Sequence, residues 1–187
     1  METISNQIIQ LDIAWKNIQE NIVSEQNLDS IKNKLKEKQS SIDEINFINI
    51  KNTFGIYIFY IKPKEAYTLK TLTKNWTQNG YNNYPKIVQK RFNKYNQIKI
   101  DTEYVFYIGK SEKLGARIKE HITHKGKTAT YSLKLEGRAS FNKENISFSY
   151  WELPIELANC TKEIKQFIIT QIETELRNKL NPWIGKQ

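Results

Sequence analysis

The chain has 187 residues, of which 39% are hydrophobic and 26% charged, a length and balance that fit one domain with its own core and exclude a disordered tail. Its 29 Lys plus Arg against 20 Asp plus Glu give a net charge of +9, which points to a polyanionic partner. No run approaches the ~20 apolar residues needed to cross a bilayer, and the opening METISNQIIQLD lacks a signal peptide's basic start and apolar centre, so a cytoplasmic protein with no membrane association is expected. A lone cysteine, Cys160, excludes an intramolecular disulfide and a Cys-rich zinc site, and reads as a small core residue.

Residues 4 to 39 have a helical pattern. Ile8, Leu11, Trp15, Ile18 and Ile22 recur at spacings of three and four, and Leu28, Ile31 and Leu35 continue on a second, shorter helix, with Asn27 or Asp29 as its expected cap. This predicts a helical hairpin over residues 1–50, an N-terminal extension whose stripe packs on the protein's own body in preference to forming a dimer seam. FGIYIFYI, residues 54–61, is apolar on both alternating faces, as is EYVFYIG, residues 103–109; Ile146 to Leu153 alternates as a half-buried strand. In SEKLGARIKEHI, Leu114, Ile118 and Ile122 lie four apart behind Ser111 as a candidate N-cap. A last helix runs from about Thr161 to Leu180 and stops at Asn181-Pro182. The expected fold is α+β, a small three-stranded antiparallel sheet flanked by helices, in a domain over 51–187.

Between the first two strands, residues 62–100 mix Lys and Arg with aromatic residues and show no clean period. A connection of this length is uncommon unless it carries function or elements of its own. Basic side chains among aromatics suit phosphate contact and base packing, so Lys74, Trp76, Lys86, Lys90, Arg91 and Lys94, with Lys125 and Lys127 further on, are the candidate DNA-binding residues.

Gly55-Ile56-Tyr57 and Tyr107-Ile108-Gly109 are followed by Lys110, by Arg117 eight positions after Gly109, and by His121 four positions later; Glu173 stands nine residues ahead of Pro182 in IETELRNKLNPWIG. Over residues 54–185 this order resembles the GIY-YIG nuclease superfamily. Two departures stand out: Tyr57 and Tyr107 are 50 residues apart, and Gly185 occupies a position where many members carry asparagine. The resemblance implies a phosphodiester hydrolase with one Mg²⁺ or Mn²⁺ held by Glu173, Tyr57 as general base, Tyr107 positioning water or phosphate, Arg117 clamping the transition state, and Lys110 and His121 assisting. Read from the residues alone, Arg117 and His121 share one helical face and can meet one phosphate. The reference pKa of His121, near ~6.5, suits a base better than tyrosine's near ~10, so the base is Tyr57 or His121. On a helical wheel Glu175 lies nearer the apolar stripe of Ile164, Ile168, Ile172, Leu176 and Leu180 than Glu173, whose spacing to Pro182 nevertheless favours it. His121 and His124 lack a nearby third ligand for zinc.

The expected function is a stand-alone, site-specific DNA endonuclease of restriction type acting on duplex DNA, with a homodimer through the N-terminal helices. Its rivals are a repair or recombination nuclease selecting branched DNA and a catalytically silent nucleic-acid-binding module.

Overall fold

The computed structural model describes residues 2–43, 49–77, 80–81, 83–124, 130–138, 141 and 145–185. The N-terminal hairpin consists of α1 (Glu2–Ile22) and α2 (Glu25–Glu37). The cap of α2 is Ser24, whose Oγ accepts from the Asn27 N–H at 3.4 Å, rather than Asn27 or Asp29, which sit inside the first turns. Leu28, Ile31 and Leu35 are buried against Ile56, Ile58 and Ile108 of the sheet, so α2 completes the core on that face of the sheet. The stripe of α1 behaves differently from expectation. Ile4, Ile8, Leu11 and Ile18 are 49–67% exposed, and Trp15 packs its ring 4.2 Å from that of Phe167. The physical reason is that α2 and the last helix already cover this face of the sheet, leaving α1 a flank to rest on.

The main sheet has four antiparallel strands in the order β1-β5-β2-β4, with β1 at Ser40–Ser41, β2 at Gly55–Ile61, β4 at Tyr104–Ser111 and β5 at Ile146–Glu152. The expected three strands gain a fourth because two serines add to the edge of β5, a strand too short and polar to leave a hydropathy pattern. β2 is central, and its alternate residues enter different cores: Ile56 and Ile58 face α2 and α6 (Lys162–Leu180), whereas Tyr57, Phe59 and Ile61 face α5 (Leu114–Thr123) and the inserted segment.

The insertion forms elements of its own: α3 (Leu69–Thr77), β3 (Lys86–Ile87) and α4 (Gln89–Phe92). β3 pairs with β6 (Ile184–Gly185) in a second, two-stranded sheet. Its aromatics are largely structural. Trp76 is 1% exposed, donates from Nε1 to the Pro85 carbonyl at 2.8 Å and packs on Phe106 and Phe141, which removes it from the DNA-binding candidates. Lys74, Lys86, Lys90 and Lys94 are exposed and Arg91 is half-buried, while Lys125 and Lys127 lie outside the described residues.

Helix α5 (Leu114–Thr123) begins where the Asn52 Oδ1 accepts the Ala116 N–H at 2.8 Å, a cap supplied from 64 residues away; Ser111 accepts from Lys113 just ahead of the helix. Helix α6 (Lys162–Leu180) is capped at its start by Thr161 and at its end by Asn181 in the left-handed region, before Pro182. Its buried residues are Ile169, Ile172, Glu173 and Leu176, and Ile164 is 41% exposed. A strict four-residue step drifts by about 40° per repeat around an α-helix, so the stripe read from Ile164 to Leu180 winds off the sheet. Cys160 is half-buried in the turn before α6 rather than in the core. No helix among the described residues is long and apolar enough to cross a membrane.

Candidate active site

Tyr57 and Tyr107 come from paired strands, and in the register Tyr57 lies opposite Gly109. Their rings, 6.1 Å apart, share the face covered by α5. The Tyr57 hydroxyl lies over Gly109: a Cβ there would sit 2.4 Å from Oη and 2.9 Å from the Tyr107 ring, so any side chain would push both tyrosines away. Gly109 is thus a close-approach position, and one glycine fixes two candidate catalytic rings.

His121 supplies the third group and is fully buried. Its Nε2 is 2.7 Å from the Tyr57 Oη, and its Nδ1 accepts the Leu133 N–H at 2.9 Å. A backbone N–H can only donate, so Nδ1 carries the lone pair and the neutral ring carries its proton on Nε2. His121 therefore donates to the Tyr57 oxygen. Burial, with the Arg117 charge adding to it, holds the imidazole well below the usual histidine range. Arg138 secures the loop that holds the ring: its Nε donates to the Leu133 carbonyl at 2.8 Å while the guanidinium lies 3.6 Å from the Trp76 ring. Burial pushes the Arg138 pKa down to about 10, still charged at neutral pH.

These bonds set a pH dependence. Because the folded pKa of His121 is depressed, the unfolded chain binds the extra proton first, and stability falls as pH drops below the unfolded value near ~6.5. Between pH 7.5 and 5.5 wild-type protein should lose about 1.4 kcal/mol more stability than His121→Gln in urea unfolding. Parallel losses in the two proteins would contradict the buried neutral ring.

Arg117, on the same helical face and half-exposed, donates to the Glu120 carboxylate and the Tyr131 carbonyl, and by charge and hydrogen bonding it opposes the upward shift of Tyr57. Burial nevertheless pushes the Tyr57 hydroxyl well above the ordinary tyrosine range, and Tyr107 is raised by burial too.

The sheet edge at β4 brings in α6. Glu173 is 5% exposed, and its charge acts on both tyrosine hydroxyls. Its Oε1 pairs with Arg177 Nη2 at 2.7 Å, and that guanidinium also donates to the Ile108 carbonyl at 3.3 Å. Glu175 is half-buried and accepts from Asn178 at 3.5 Å, which leaves Glu173 as the carboxylate beside the tyrosines. Lys110 does not join them. It follows Ile108 on the opposite face of β4 and donates to the Thr170 hydroxyl on α6. Among the described residues no three His, Cys, Asp or Glu side chains gather at one point.

Arg177 could have been found in the sequence, four residues after Glu173 on one helix. The Leu133 amide and Arg138 left no signal there, because each acts through tertiary contact. Comparison with models of known families, with characterised proteins and with solved structures finds no match to this chain.

Proposed function

We propose that this chain is a metal-dependent DNA endonuclease that hydrolyses phosphodiester bonds. The observation that carries the reading is the convergence of Tyr57, Tyr107, Arg117, His121 and Glu173 from two strands and two helices, with the Tyr57 hydroxyl bound to His121 and within the electrostatic reach of Arg117, Tyr107 and Glu173. Clusters of perturbed, buried titratable groups at one end of a sheet are the usual form of a reaction centre.

In this reading a water attacks phosphorus and gives its proton to the ionised Tyr57 oxygen, as the bond from phosphorus to the leaving oxygen breaks. Both nitrogens of His121 are engaged, which supports Tyr57 over His121 as the base. His121 and Arg117 donate toward the Tyr57 oxygen and so favour its phenolate, working against the burial that raises its pKa. Arg117 also places positive charge where the phosphorane oxygens develop negative charge. A single hard carboxylate at Glu173 fits an ion of the Mg²⁺ or Mn²⁺ type, which keeps several waters and takes further oxygens from phosphate. When bound, such an ion supplies Lewis-acid stabilisation of the phosphate and leaving oxygens.

The substrate role proposed is site-specific cleavage of duplex DNA, as a homodimer through the open stripe of α1. Asp12 and Glu20 against Lys16 make that helix unsuited to phosphate and suited to a second copy. Light scattering should give twice the chain mass, and a micromolar monomer removes the dimer. The nuclease reading is tested with mixed-sequence plasmid, with and without Mg²⁺, beside Glu173→Gln. Discrete metal-dependent bands support a site-specific enzyme, a smear removes the restriction role, and preferential cutting of a branched substrate moves the reading to repair. DNA retardation without cutting by either protein replaces it with a binding module.

A further inference from the structure

The insertion is fastened to the end of the chain beside the candidate site. Lys86 and Ile87 pair with Gly185 and Ile184, the Val88 N–H donates to the Trp183 carbonyl at 2.9 Å, and Phe92 packs edge-on to Trp183. This docking sets Arg91 over Gly185, where a Cβ would lie 4.0 Å from the Arg91 Nη1. It also brings Arg91 close enough to Arg177 for the two charges to repel.

Two half-buried guanidinium groups thus lie within electrostatic reach of one another. Arg177 holds Glu173 with one nitrogen, yet its Nε is shielded from solvent and donates to no described group. The Arg91 Nη1 is in the same condition, and Arg91 forms no ion pair among the described residues. Buried charged donors without acceptors destabilise a fold, and two like charges within reach of each other add to the penalty. The ligand chemistry that satisfies both is an anion with several oxygens, and arginine's planar fork matches phosphate. Exposed Lys86, Lys90 and Lys94 flank Arg91, which favours a polyanion over an isolated carboxylate. Arg177 pairs with Glu173 and its charge acts on the Tyr107 hydroxyl, so it borders the candidate site.

We propose that Arg91 and Arg177 form a binding site for one backbone phosphate of the nucleic acid, beside Glu173 and next to the phosphate that is attacked. The inference rests on the nuclease reading and gives the insertion its role: it carries Arg91 across 86 positions of sequence to meet Arg177. Arg91 is a binding residue, and the pair fixes the path of the strand as it enters the site.

The test is fluorescence anisotropy of a mixed-sequence duplex in Ca²⁺ over a salt series, with thermal midpoints for every protein. Arg91→Gln should weaken binding by about tenfold and lower the salt slope by about one, whereas Lys90→Gln, at an exposed position, should weaken it about twofold. Arg91→Lys should restore the slope and only part of the affinity. The Arg91→Gln midpoint should hold or rise, because a repelling charge without an acceptor has been removed. Wild-type affinity and slope in Arg91→Gln overturn the site, as does a fallen midpoint with unchanged binding, which marks a structural brace. Wild-type protein that binds with this Arg91 signature but never cuts in Mg²⁺ supports the phosphate site and refutes the nuclease. Normal cutting with unchanged Arg91→Gln binding does the reverse, and absence of DNA binding removes both.

Discussion

Tyr57→Phe is expected to lower the rate of DNA cleavage by about 10³-fold, within the 10² to 10⁴ that a positioned general base contributes. The substitution keeps the ring that packs against Phe59, Tyr107 and Gly109 and removes the oxygen alone. It also strands the His121 Nε2–H in a fully buried place, at a cost of about 1–3 kcal/mol. For a chain of this size that is a fall of roughly 2–12 °C in thermal midpoint. His121→Gln separates the two candidate bases. A glutamine amide can accept from Leu133 and donate to Tyr57, so a His121 that acts as donor should be replaced with a loss of about tenfold or less. A His121 that acts as base should instead be as damaging to replace as Tyr57. Single-turnover cleavage with excess enzyme reads the chemical step directly, and a Tyr57→Phe protein that cuts at wild-type rate ends the mechanism proposed above.

Glu173→Ala is expected to remove metal-dependent cleavage, with a loss of about 10³-fold or more corresponding to about 4 kcal/mol of transition-state stabilisation. It should also unfold more easily. Arg177 would keep its charge in a half-buried position without its carboxylate, a change of about 3–5 kcal/mol for a broken buried pair. Glu173→Gln divides the two effects, because the amide oxygen still accepts from Arg177 while the negative charge needed for a cation is gone. The expected result is a protein near wild-type stability that does not cut at any Mg²⁺ or Mn²⁺ concentration. Glu175→Gln, altering a carboxylate that among the described residues accepts from Asn178 of its own helix, should cut normally. If Glu173→Gln cuts and Glu175→Gln does not, the metal ligand has been assigned to the wrong residue of the pair.

Much of the local structure was written in short-range patterns. Apolar residues filling both faces of 54–61 and 103–109 specify buried strands; Thr161 and Asn181-Pro182 bound α6, and the Leu28, Ile31 and Leu35 stripe becomes the packed face of α2. These signals survive because helix and strand periods and caps depend on neighbours a few residues away. The candidate chemistry was legible for the same reason, as order and spacing: Tyr57, Tyr107, Arg117, His121 and Glu173 could all be picked out before any fold was known.

What the sequence could not carry were relations set by distant packing. Whether an apolar stripe is covered depends on what else occupies the sheet face, so α1 stays open while α2 is buried. Aromatics among lysines look alike whether they stack on bases or fill a core, and only the docking of Trp76 on Arg138, Phe106 and Phe141 decides the matter. Strand alternation sends Lys110 to α6 and Tyr107 to α5. The tautomer of His121 is set by the amide of Leu133, twelve residues away on a loop that Arg138 holds in place, and Arg91 comes within electrostatic reach of Arg177 through the pairing of β3 with β6. Residue types and their order fix which chemistry is available, whereas proton positions, burial and charge neighbours arise when separate segments close on one another, since each depends on what excludes water around it.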